Sequence, residues 1–153
     1  MKKAFTMIEL VFVIVVLGIL AGVALPRLMS PAEDAYDVKL KSDIASIRSA
    51  VSLVRGRNML RGQALVTNGY PPFLDDATSG NVDQELFDGN STLGTLLTYP
   101  IYSSNKAGSW MKKGATTYVA KRGSSSTVSF TYNSANGTFD CNQSKTDCQA
   151  LTR

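Results

Sequence analysis

A chain of 153 residues is sized for one domain, and 16 Lys plus Arg against 12 Asp plus Glu gives a formal charge of +4, too mild for a dedicated nucleic-acid binder. There is no histidine, which excludes Ser-His-Asp and Cys-His catalysis, imidazole bases and His-ligated metals together. Two cysteines cannot build a four-thiolate zinc site.

The hydrophobic residues are unevenly placed. Met1-Lys2-Lys3-Ala4 is a short basic start, and from Met7 to Leu25 every residue except Glu9 is apolar or Gly. As a helix, residues 5 to 25 would reach about 31 Å, enough to cross a bilayer core. Lys2 and Lys3 bias that end toward the cytoplasm, so the remainder should face outward. A cleaved secretory signal peptide is the plainer alternative. Against it stand Glu9, the length of the apolar run, and Leu25-Pro26 as a poor start after a cleavage site. A carboxylate within the span costs roughly 2.5–3.5 kcal/mol on insertion scales, which makes Glu9 a functional-site candidate. The bland reading of Glu9 is a side chain that snorkels to the headgroups.

The order Ala4-Phe5-Thr6-Met7-Ile8-Glu9-Leu10, followed by Gly18-Ile19-Leu20-Ala21-Gly22-Val23-Ala24-Leu25-Pro26, resembles the leader and first helix of type IV pilins and type II secretion pseudopilins. The resemblance is tight over about the first 30 residues and loose along the following helix. It implies that a membrane prepilin peptidase removes residues 1–4, cutting between Ala4 and Phe5, and methylates the new amine of Phe5. It also implies that Glu9 pairs with the Phe5 amine of a neighbouring subunit and sets the assembly register, since a buried charge is tolerable only when paired. Ala4 departs from the family's glycine, but is also small, so cleavage should survive, more slowly. Gly18, Gly22 and Pro26 fall where family helices kink or unwind.

Pro26 and Pro31 then bracket an expected break. Ser30-Pro31-Ala32-Glu33 reads as a helix restart, with Ser30 as N-cap and Glu33 completing a capping box. Tyr36, Leu40, Ile44, Ile47, Val51 and Val54 form one apolar stripe, and acids at the start with Arg48, Arg55, Arg57 and Arg61 near the end suit the macrodipole. Gly62 is the expected stop. Residues 63–114 read as a loop region with a short helical turn over Thr92 to Thr98. Thr116 to Lys121, Val128 to Tyr132 and Thr138 to Cys141 read as strands, with a turn over Asn133 to Gly137. The expected fold is α+β: a long N-terminal helix, half membrane and half amphipathic, packed on a small three-stranded antiparallel meander, pilin-like. The expected organisation is a leader over 1–4, a transmembrane or filament-core helix over 5–29, and a periplasmic head over 30–153. Within the head, the helix takes 30–62 and the sheet with its disulfide loop takes 115–153.

Cys141 and Cys148 are expected to pair once exported, as pilins often tie down their C-terminal segment. Asp75, Asp76, Asp83, Glu85 and Asp88 read as solvated loop acids, with calcium as the alternative because some secretion pseudopilins bind it. No EF-hand spacing appears, nothing frames a glycosidase cleft, and no cofactor is expected. Lys106, Trp110, Lys112, Lys113, Tyr118, Lys121 and Arg122 form a basic segment with interleaved aromatics, either a solvated surface or a contact for DNA by charge and stacking. Asn90 and Asn142 stand in Asn-x-Ser/Thr patterns, each with an acid two residues earlier, and are glycosylation candidates.

The function read from this is structural, without enzyme chemistry. The chain is expected to be an inner-membrane, single-pass subunit with a cytoplasmic N-terminus before cleavage and a periplasmic head. It would assemble with itself or other pilin-like subunits into a filament that acts in protein secretion. By resemblance, its partners are the prepilin peptidase, an inner-membrane platform, an ATPase and membrane lipid. The alternatives are a DNA-uptake or type IV pilus subunit, extracellular once assembled, and a signal-anchored periplasmic binding module outside any filament.

Overall fold

The computed structural model describes residues 5–62, 68–90, 94–123 and 125–153, with side chains at all of these except 24–32 and Asn90. The chain divides into two units, Met1–Asp34 and Ala35–Arg153. Helix α1, Met7–Leu60, begins in the first and ends in the second.

In the first unit, the Glu9 N–H donates to Thr6 Oγ1 at 3.4 Å, and the Thr6 carbonyl accepts from Glu9 and Leu10. Thr6 is therefore the N-cap, and Glu9 stands three residues on, the spacing of a capping box. Every described side chain from Phe5 to Val23 is exposed. Among the described residues no helix is long and apolar enough to cross a membrane. The membrane half expected over 5–29 extends into positions whose side chains lie outside the description.

The expected break at Pro26 and Pro31 does not occur, because the backbone of α1 is helical through both. Interrupting the helix at Ser30 would orphan up to four carbonyls and four amides. Each proline removes only one hydrogen bond. Continuity is the better-satisfied arrangement, and Ser30 lies inside the helix rather than capping a new one.

In the second unit the apolar stripe behaves as its spacing predicts. Leu40, Ile44, Ile47, Val51 and Val54 are buried, Tyr36 is half-buried, and Ala50 and Asn58 widen the buried face. Asn58 Nδ2 donates to the Gly69 carbonyl at 2.9 Å. Helix α1 stops where expected: Gly62 takes φ +71°, and its N–H bonds the Met59 carbonyl.

The sheet has four strands, not three. In order along it stand β5 (Ser109–Lys112), β6 (Thr117–Lys121), β7 (Thr127–Asn133) and β8 (Thr138–Cys141), all antiparallel. The register sets Trp110 opposite Ala120, Tyr118 opposite Phe130, and Tyr132 opposite Phe139. The period of two then puts Trp110, Tyr118, Ala120, Val128, Phe130, Tyr132 and Phe139 on one buried face. Strand β5 was missed because only four residues carry it and two are basic or polar.

Before the sheet, β1 (Glu85–Leu86) pairs with β4 (Ile101–Tyr102), and β2 (Gly89–Asn90) pairs with β3 (Gly94–Thr95). The helical turn expected over Thr92 to Thr98 is thus a hairpin strand at Gly94–Thr95, while 92 and 93 lie outside the described residues. Glycine decides this: a Cβ on Gly89, at φ +92°, would meet the Gly94 carbonyl oxygen at 2.2 Å. The chain ends in helix α2 (Thr146–Thr152), which buries Cys148 and Leu151 and had no sequence expectation.

Candidate functional site

Two places carry chemistry, one in each unit. The first is the start of α1. Phe5 and the apolar side chains from Met7 to Val23 face outward, and Glu9 is the only charged group among them. Gly18 and Gly22 are helical, with no atom within 4 Å of an added Cβ, so their surface admits a close neighbour. Pro26 lies within α1, and Ala4 lies outside the described residues.

The second place is a charged site inside the head. Asp75 and Lys112 have side chains 0% and 7% exposed, with Lys112 Nζ 2.5 Å from Asp75 Oδ1. Lys112 is inside because it stands two residues from Trp110 on β5, and so shares its inward face. Its Nζ also donates to the Asp75 carbonyl at 3.1 Å. The Ala77 N–H donates to Asp75 Oδ1 at 3.2 Å, while the Phe87 N–H and the Tyr118 hydroxyl donate to Oδ2 at 3.0 and 2.9 Å. Each carboxyl oxygen has two donors. Phe87 adopts φ +59°, a conformation costly for a bulky residue, and the bond to Asp75 helps to hold it. Burial, then the Asp75 charge, pushes the Tyr118 phenol far above its usual range. Burial also raises the carboxyl of Asp88, whose Oδ1 is buried without a partner among the described residues.

This arrangement redistributes the residues singled out in the sequence. Trp110 and Tyr118 are core residues, and Trp110 Nε1 donates to Asp43 Oδ2 on α1 at 3.0 Å. Neither ring is free to stack on a base, and the Lys112 charge is not presented to a phosphate. Arg122 pairs with Asp37 of α1 and, at 2.6 Å, with Asp147 of α2, and these partners raise its pKa. Lys121 Nζ bonds Asn105, leaving only Lys106 and Lys113 of the segment well exposed. The basic segment is therefore a strand edge and a set of internal ties, not a continuous surface.

The acid group divides too. Asp75 is satisfied by protein donors, Glu85 accepts from Tyr102 at 2.9 Å, and Asp76 and Asp83 are exposed. The one grouping of acid and thiol ligand atoms among the described residues is Asp140 with Cys141 and Cys148. The Cys141–Cys148 disulfide, with Cα atoms 5.8 Å apart, takes both sulfurs. Asn142 is exposed in the disulfide loop, its Oδ1 accepting from Ser144 N and Oγ at 3.0 and 2.7 Å, while the Asn90 side chain lies outside the description. Sequence reasoning missed the Asp75–Lys112 pair. The period-two relation of Trp110 to Lys112 was the available signal.

Residues 1–25 match the prokaryotic N-terminal methylation motif. The chain is 41% identical over 54 residues to type II secretion system core protein G of Pectobacterium carotovorum subsp. carotovorum, covering 35% of each chain. It is 39% identical over 51 residues to the type IV narrow pilus major component PilA5 of Thermus thermophilus, covering 33% of this chain and 44% of that one. Core protein G of Pseudomonas aeruginosa is 37% identical over 54 residues, or 35% of this chain and 38% of the relative. The matched stretch spans about a third of the length of the secretion relatives. No solved structure matches the chain.

Proposed function

From a chain that carries a prokaryotic N-terminal methylation motif over residues 1–25 and continues into an α+β head, we propose a structural subunit of a type IV pilus-like filament, of the type II secretion pseudopilin kind. One observation carries the reading: the motif coincides with the start of α1, where every described apolar side chain from Phe5 to Val23 faces outward around a single carboxylate, Glu9. At 25 cal/mol per Å², leaving such a surface in water is unfavourable, so lipid must cover it before assembly and other subunits' helices after it. In this reading the leader is cut after Ala4, Phe5 is N-methylated, and the protein waits in the inner membrane with its head in the periplasm. A prepilin peptidase, an assembly platform and an ATPase serve it, and it does no chemistry itself.

Glu9 supplies the register. Its N–H is taken by the Thr6 cap at 3.4 Å, while its exposed carboxylate is presented to the Phe5 amine of the next subunit. Glu9→Leu removes that partner and leaves an amine buried alone, a loss of roughly 3–5 kcal/mol per assembly step. Membrane-fraction protein should then accumulate while sheared-filament yield collapses. Normal filament yield would remove the assembly role of Glu9. The Thermus relative supports a second reading, a type IV pilus subunit rather than a secretion pseudopilin. Loss of protein export without loss of surface pili, in a strain lacking this chain, favours the first over the second.

A further inference from the structure

We infer that Lys112 and Asp75 condense into an intramolecular isopeptide bond, joining Nζ to Cγ with release of one water. This goes beyond the filament reading and does not depend on it. The reactants are already in place: Nζ is 2.5 Å from Oδ1, and a second bond to the Asp75 carbonyl holds the amine against the same residue. Two buried donors, the Phe87 N–H and the Tyr118 hydroxyl, fix the other carboxyl oxygen. The rings of Phe87 and Tyr118 lie 4.5 Å apart, and Lys112 Nζ sits 5.9 Å from the Tyr118 centroid, so one wall of the pair is aromatic.

Condensation needs a neutral amine and a protonated carboxyl. One proton passes from Nζ to the carboxylate across their 2.5 Å contact as the pair reacts, which cancels two buried charges together. The Nζ lone pair then attacks Cγ. The oxyanion forming at Oδ2 meets the Phe87 and Tyr118 donors, which are already aimed there. The nitrogen then sheds a second proton to the adjacent Oδ1, which leaves as water. The sum is one ammonium plus one carboxylate giving one secondary amide plus one water. Fixed geometry supplies an effective molarity of about 10⁵–10⁸ M, which is what an unassisted condensation lacks. The product ties β5 to the segment that forms the Asp75–Gly89 bridge, across 37 residues of chain.

The test is the intact mass of the full-length chain, purified from membranes, then reduced and denatured, with proteolytic mapping beside it. Wild type should be lighter by one water, and a digest should contain one branched peptide holding both Asp75 and Lys112. Lys112→Arg keeps the charge but cannot condense, and should return the unmodified mass. Wild-type protein at its full mass, or a lost water that maps to an Asn-Gly or Asp-Gly site instead, would overturn the bond.

Discussion

Trp110→Phe separates a core tryptophan from a surface one. The Trp110 side chain is 0% exposed and sits 5.3 Å from Phe130 and 5.7 Å from Phe87, ring to ring. Its indole N–H donates to Asp43 on α1, an acceptor that is itself largely shielded and also bonded to Lys39. Phenylalanine loses that bond, worth about 1.5–3 kcal/mol when the acceptor is charged. It also leaves part of the indole volume empty, about 1 kcal/mol more at the scale of a methylene or two. The expected destabilisation is therefore about 3 kcal/mol. Urea unfolding of a fragment from Ser30 onward, followed by far-UV circular dichroism, measures it. Asp43→Ala combined with Trp110→Phe should show a coupling of more than about 1 kcal/mol if the bond exists. Trp110 is the only tryptophan, so wild-type emission should be blue-shifted and poorly quenched. A loss under about 0.5 kcal/mol with water-like emission would refute the packing described here.

The Cys141–Cys148 bridge closes eight residues, so reducing it should cost about 2.5 kcal/mol and loosen α2 first; thiol titration of denatured, unreduced protein should find no free thiol. Tyr118 and Tyr132 both have raised phenol pKa values, chiefly from burial. The unfolded chain releases these protons near pH 10 while the folded chain keeps them, so their contribution is intact below about pH 10 and is lost as pH rises above it. Stability should fall there by about 1.4 kcal/mol per pH unit for each tyrosine. Tyr132→Phe should remove about half of that slope, and an unchanged slope would mean the phenols titrate freely.

The parts of this fold that a sequence can express locally were legible. The stripe from Leu40 to Val54 repeats every three or four residues, and Val128 to Tyr132 alternates, so each announced both its element and its buried face. Gly62 marked the end of α1, and the cysteine pair closed as expected. What failed depends on partners far along the chain. Strand β5 looks like a basic surface until β6 supplies its register, and only then does Lys112 turn inward toward an aspartate 37 residues away. Thr6 and Glu9 have the same spacing as Ser30 and Glu33, yet only the first pair starts a helix. Glu9 stands in an apolar run, where its charge masks its place in a helix start, and the second pair lies within a helix that continues. The Asp37–Arg122–Asp147 tie joins three elements and leaves no local pattern.

The central claim is that residues 1–10 are a processed assembly segment. Its most direct test is the N-terminal peptide of the protein isolated from membranes or sheared filaments. The account predicts a mature chain beginning at N-methylated Phe5, with Ala4→Phe leaving the precursor uncut because the peptidase requires a small residue before the bond. A chain that still begins at Met1, or one cut beyond Ala24 so that the whole apolar helix is lost, would contradict it.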